Sequence, residues 1–187
     1  MTFSLSRPWR RTLLVAHVLF GVGWMGLDLG LLVLVLTGAT SESGPTAAAA
    51  YTSARLVIPI VVPVLATGML LTGILLGWGS KWGLVRWTWV LTKLVIGVIL
   101  TVLVFVALVP GALSIPTELT GTASQVRDAV GGAGTDLLFP PIVSFLALGF
   151  ALVLSVWKPW GRTRWGQRAA SGSAARPELT AAQPRQP

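Results

Sequence analysis

Apolar positions in this chain fall into four long blocks, from about Thr12 to Thr37, Leu56 to Trp78, Trp87 to Val109 and Leu137 to Trp157. Each reaches or passes roughly the 20 residues that carry an α-helix across hydrocarbon at about 1.5 Å rise per residue. Lipid offers nothing to an unpaired backbone N–H or C=O, so such blocks fold as helices or as strands of a closed barrel. Barrel strands alternate with period two, and these runs do not. The pattern predicts an all-α fold, a four-helix transmembrane bundle over residues 1–165.

Between the blocks, Gly38–Arg55 and Pro110–Asp136 are rich in Ala, Gly, Thr and Ser and carry Pro45, Pro110 and Pro116 as breakers. They read as two loops, with Pro116–Val130 forming a short surface helix. Pro59 and Pro63 are expected to bend the second helix near one end, while Pro140 and Pro141 suit the first turn of the fourth. Beyond Trp165, residues 166–187 are dominated by Gly, Ser, Ala, Pro and Arg and read as a disordered tail. The first block follows Arg7, Arg10 and Arg11 as a signal-peptide core would, but it far exceeds the roughly 7–15 residues of such a core and is expected to be retained.

Charge then orients the bundle. If the amino terminus is cytoplasmic, inner segments hold eleven Lys and Arg residues and outer segments only Arg55 and Arg127. That bias places both termini in the cytoplasm of a bacterial plasma membrane, with Glu42, Glu118, Asp128 and Asp136 outside. Eight of the nine tryptophans, Trp24 being the exception, fall near the inner interface, where indole rings suit the headgroup layer. The overall composition agrees: 53% of residues are apolar and 11% charged, against roughly a quarter charged in soluble domains. The net charge of +8 is accounted for by orientation, so the expected partner is the lipid bilayer and no nucleic acid. With no cysteine in the chain, thiolate metal sites, disulfides and cysteine nucleophiles are excluded.

Few residues inside the blocks can carry chemistry. His17, Gly21, Trp24 and Asp28 are spaced four, three and four apart, which sets them on one face of the first helix. Ionisable groups cost roughly 2.5–3.5 kcal/mol in hydrocarbon on insertion scales, so that face should meet other helices. Lys93, about six residues into the third helix, can share a depth with His17; Asp28 lies some 16 Å further along at the helical rise, which argues against an Asp28–Lys93 pair. His17 reads either as a neutral imidazole bonded to a hydroxyl or carbonyl, with Thr72 or Ser155 as candidates, or as a haem or copper ligand. The haem reading needs a second chain's His17, or Met25 or Met69, as axial partner, since the chain has a single His. Lys93 can snorkel towards the interface. Asp28 lacks that reach and needs a partner such as Arg55 or the Trp24 N–H. Gly26 with Gly30, and Gly73 with Gly77, have the small-xxx-small spacing of closely packed helices, within the bundle or between two copies. A weak echo of Thr12, His17 and Gly21 in Thr88, Lys93 and Gly97 hints at a two-plus-two repeat.

The string from His17 through Gly21 and Trp24 to Asp28, the segment Lys81–Arg86 leading into Trp89 and Lys93, and the closing Lys158-Pro-Trp-Gly-Arg162 resemble a group of actinobacterial predicted integral membrane proteins of unknown function. A looser likeness links the helix-one His and the Trp89-x-x-x-Lys93 pattern to copper-resistance membrane proteins, although one His and three Met are few ligands for a copper pathway. The resemblance implies four helices in the plasma membrane and no established activity, and no cofactor is expected unless His17 binds haem. No phosphate loop, zinc-protease pair or serine–histidine–acid pattern is present in the sequence. The chain is therefore expected to be a non-catalytic membrane scaffold or partner subunit, with a possible homodimer. The alternatives are a haem- or metal-binding redox protein centred on His17 and a transporter or proton-coupled module using Asp28 and Lys93.

Overall fold

A computed structural model of the chain describes residues 6–79, 84–157, 161 and 163. Helix α1, Arg7–Thr40, begins after Ser6 in extended conformation, with a proline in its first turn where the missing N–H costs nothing. Its buried positions Trp24, Asp28, Leu31, Val35 and Gly38 recur every three or four residues and so form one stripe. Helix α2, Gly44–Trp78, starts only three residues after α1 ends; the Ser43 hydroxyl accepts the Thr46 N–H at 3.4 Å, and a proline again occupies the first turn. The loop expected over Gly38–Arg55 is thus mostly helix, because the run Ala47–Ala50 favours helix more strongly than its lack of bulk suggests. The helix runs unbroken through Pro59 and Pro63.

Small residues set how closely this first hairpin packs. Ala47, Ala54 and Ala66 are fully buried on α2. A Cβ at Gly38 would sit 2.7 Å from the Tyr51 ring, and one at Gly68 would sit 2.6 Å from the Phe20 ring. Two aromatic side chains therefore lie directly on glycine backbone.

The third span, Thr88–Leu113, is one apolar stretch with a change of pitch. It comprises α3, Thr88–Leu103, a π-helical turn, Val104–Leu108, and α4, Val109–Leu113. Pro110 in a regular helix would clash with the carbonyl four residues earlier and could not donate to it. The wider turn, in which the Val109 N–H reaches the Val104 carbonyl, lets the helix pass the proline instead of stopping at Val109 as the sequence suggests. Helix α5, Ala123–Val130, is opened by a capping box: Thr122 accepts the Gln125 N–H while the Gln125 side chain accepts the Thr122 N–H. It occupies the second half of the surface helix expected at Pro116–Val130. Helix α6, Gly132–Asp136, leads into α7, Phe139–Trp157, and together they make the fourth span.

Each span packs against the next and α7 returns against α1, so the four form a closed up-and-down bundle. The end at which α1 starts and α7 finishes is called the terminal end; the opposite one is the loop end. At the terminal end, Thr163 N–H donates to the Arg86 carbonyl at 2.9 Å, tying the chain after α7 to the segment before α3. The loop end is sealed. Tyr51, 2% exposed, wedges between Gly38 and Gly134. Arg55 donates to the carbonyls of Leu113 and Ile115, Arg127 donates to the Ser41 carbonyl at 2.9 Å, and Gly44 lies against the Gly121 carbonyl.

Around the outside runs a belt of exposed apolar side chains that includes Leu19, Val33, Ile60, Val106, Leu146 and Val153. Such a belt is untenable in water and is what hydrocarbon requires. All four spans are long and apolar enough to cross a membrane. The chain is an all-helical, multi-pass membrane protein. The tail expected at 166–187 lies outside the described residues, as do Trp82, Trp160 and Trp165.

Candidate functional site

Polar side chains gather at two places inside the bundle. The first is in the half nearer the terminal end, where all four spans contribute to a cavity of about 490 Å³. Most of its wall is aliphatic or aromatic, with His17, Lys93, Ser155 and Arg10 as the polar contributors.

His17 projects from α1 onto α2. Its Nδ1 lies 3.0 Å from the Met69 carbonyl and 3.0 Å from the Thr72 hydroxyl. Thr72 itself donates to the Gly68 carbonyl at 2.7 Å, bonding back one turn as hydroxyls in helices do. A carbonyl can only accept, so the bond to Met69 assigns the ring proton to Nδ1 and leaves the lone pair of the neutral imidazole on Nε2. Gly73 makes room for the ring: a Cβ there would lie 3.1 Å from His17 Cε1. Among the described residues nothing bonds to Nε2, yet every buried side-chain nitrogen and oxygen has a partner. Nε2 is therefore accessible, and His17 is one of the residues that line the cavity.

Lys93 reaches the same cavity from α3. Its Nζ donates to Ser155 on α7 at 3.0 Å and stands 4.6 Å from the centroid of the Trp89 ring, a cation–π distance. Trp89, the second residue of α3, is 7% exposed and forms part of the cavity wall. Ser155, a candidate partner for His17 from the sequence, serves Lys93; Thr72 serves His17.

The second cluster lies deeper towards the loop end. Asp28, 3% exposed, accepts a hydrogen bond of 2.7 Å from Ser144 on α7 and one from the Trp24 indole a turn earlier on its own helix. Ser144 also lies 2.9 Å from the Pro140 carbonyl. Both donors come from inside the bundle, so the carboxyl group is held between α1 and α7. Arg55, offered by the sequence as its partner, is committed to the carbonyls after α4.

The structure thus brings His17, Trp24 and Lys93 to one cavity wall and leaves Asp28 behind that wall, bridged to it by Trp24. The glycine pairs separate. Gly73 faces His17 and Gly77 faces Leu84, but nothing lies within 4 Å of a Cβ at Gly26 or Gly30. Packing within the bundle is therefore no explanation for Gly26 and Gly30: their face of α1 points away from its neighbours, and the close approach that spacing suggests for them is made at Gly38 and Gly68. Met69, offered by the sequence as an axial partner beside His17, lines the cavity and gives its carbonyl to His17, while Ser144 and Arg10 are members of these sites that the sequence did not point to. Ser144 sits 116 positions from Asp28, and no local spacing rule reaches that far.

The fold and this site define a class, a multi-pass membrane protein with a polar-tipped cavity inside its bundle. Comparison with family models, with curated proteins and with solved structures finds no match.

Proposed function

We propose that this chain is a binding subunit of a bacterial plasma membrane, with both termini cytoplasmic, that holds an anionic amphiphile in the cavity between its four helices and has no catalytic chemistry of its own. The observation that carries the reading is the pairing of an apolar wall with cations, Lys93 within the bundle and Arg10 at its terminal end. Cavities of a few hundred Å³ lined mostly by apolar groups, with a small number of convergent polar ones, are the usual form of a small-molecule site. A part-buried Lys93 and an exposed Arg10 at one part of the wall favour an anionic head, and the aliphatic remainder favours a long or broad apolar body. The eleven-to-two distribution of Lys and Arg supports placing the terminal end, and so the cavity, on the cytoplasmic side. Asp28 is already bonded by Ser144 and Trp24, which supports a structural role for it over a coupling role.

Native mass spectrometry of the full chain, released from mild detergent after equilibration with oleate, tests this. The expected result is a one-to-one oleate adduct that outlasts detergent removal and is lost in Lys93→Gln but kept in Leu19→Gln, a change on the lipid-facing belt. Equal adducts in all three proteins would refute the reading.

A further inference from the structure

His17 is not explained by an anionic amphiphile in general. An accessible lone pair on a cavity-lining side chain repels a carboxylate or phosphate oxygen; it attracts a proton donor or a Lewis acid. A bare metal ion is poorly served, since among the described residues no group of three His, Asp or Glu side chains converges. A metal that brings its own equatorial ligands needs only one imidazole from the protein.

We propose that the cavity is a haem site, in which His17 Nε2 is the axial ligand to the iron and Lys93 and Arg10 receive the propionate carboxylates. The inference rests on the amphiphile reading above and narrows it to an iron porphyrin. Four observations converge on it. His17 presents Nε2 and has its Nδ1–H donated to the Met69 carbonyl, the second bond that fixes tautomer and ring orientation in ligating histidines and raises their basicity. The cavity that His17 lines is large and mainly apolar, as a macrocycle requires. Its cations match the two anionic groups that haem carries on one edge. Trp24 and Trp89 offer flat aromatic wall. The ring of His17 is turned into its own bundle, against Gly73, so ligation is by one imidazole within one chain and not by two across a dimer. Binding involves no redox step: the Nε2 lone pair replaces a solvent ligand on ferric iron.

The test is titration of the purified full chain in mild detergent with ferric protoporphyrin IX, read by absorbance, with metal-free protoporphyrin IX in parallel. The expected result is a shifted Soret band saturating at one haem per chain, with affinity falling at least about tenfold in His17→Ala and the ligated spectrum restored by added imidazole. Lys93→Gln should weaken binding of both porphyrins while leaving the position of the haem band unchanged. Rescue by imidazole also shows that His17→Ala is folded; His17→Gln is the second variant should the alanine protein aggregate. A Soret shift that is the same in wild type and His17→Ala, or metal-free porphyrin binding as tightly as haem, overturns iron ligation. If the Lys93-dependent oleate adduct is still seen, the amphiphile reading survives that failure; if it is absent too, both fall.

Discussion

Replacing Asp28 and Ser144 singly and together isolates a hydrogen bond that joins α1 to α7 deep in the bundle. Ser144→Ala removes the donor 2.7 Å from Oδ2 and leaves the carboxyl group with Trp24 alone. Interhelical hydrogen bonds in membrane proteins average about 0.6 kcal/mol and reach about 1.7. This bond is short, has an acidic acceptor and is buried at 3% exposure, so its loss belongs at the upper end. Ser144→Ala and Asp28→Leu are each expected to cost about 1–2 kcal/mol, and Asp28→Asn, which keeps size and bonding capacity, well under 1. The double change Asp28→Leu with Ser144→Ala removes both partners. It should therefore cost about 1 kcal/mol less than the two single changes added, because an orphaned buried polar group is expensive and a deleted pair is not. Reversible unfolding in mixed detergent–dodecyl sulfate micelles measures all four proteins against wild type. Additivity of the two changes within about 0.3 kcal/mol would show that the two side chains are not coupled and would refute the account of Asp28 given above.

The glycines divide by what lies opposite them. Gly68→Ala and Gly38→Ala, which drive a methyl group into the Phe20 and Tyr51 rings, should each destabilise by about 1–3 kcal/mol in the same assay. Gly26→Ala and Gly30→Ala, which meet open space, should be neutral or slightly stabilising through better helix propensity; an equal loss at all four positions would refute the packing described for α1. Reporter fusions at the carboxyl terminus and in the 81–86 segment should read cytoplasmic, and fusions near Glu42 and Gln125 external, as the distribution of Lys and Arg requires. An external carboxyl terminus would overturn the proposed orientation.

Four spans are legible in the sequence because lipid permits so few solutions: a long apolar run that does not alternate has only one way to satisfy its backbone. Their ends are less legible. Gly38–Arg55 has loop-like composition, yet Ser43 and Pro45 are a helix start, and the alanines behind them are short because α1 lies close by. Pro110 reads as a stop and is accommodated by a π-helical turn, a solution that depends on neighbouring helices and leaves no local mark. The stripe of His17, Trp24 and Asp28 follows directly from helical periodicity, as does the shared depth of His17 and Lys93. Which hydroxyl serves which of them does not. Ser144 and Ser155 sit on α7 and could be matched to Asp28 and Lys93 only once that helix had been laid beside α1 and α3. The glycine spacing misleads at Gly26 and Gly30 because a spacing rule marks a smooth face without saying which way the face points.

The π-helical turn also governs what lengths of chain the third span can tolerate. Buried positions beyond its first turns are Gly97, Leu100, Thr101, Val104, Leu108 and Ala112, and the fifteen steps from Gly97 to Ala112 overshoot four regular turns by about 60° at about 100° per residue. The wide turn takes up part of that drift and keeps Ala112 on the inner side. Deleting one residue between 104 and 108 would swing everything beyond it by about 100° and carry the Leu113 and Ile115 carbonyls away from Arg55. Val104 and Leu108 are part of the core, whereas the side chains of Phe105, Val106 and Ala107 face outward and can change with little penalty. The number of residues cannot, so variation among homologous chains in this segment should consist of substitutions, with insertions and deletions displaced to the stretch after Ile115.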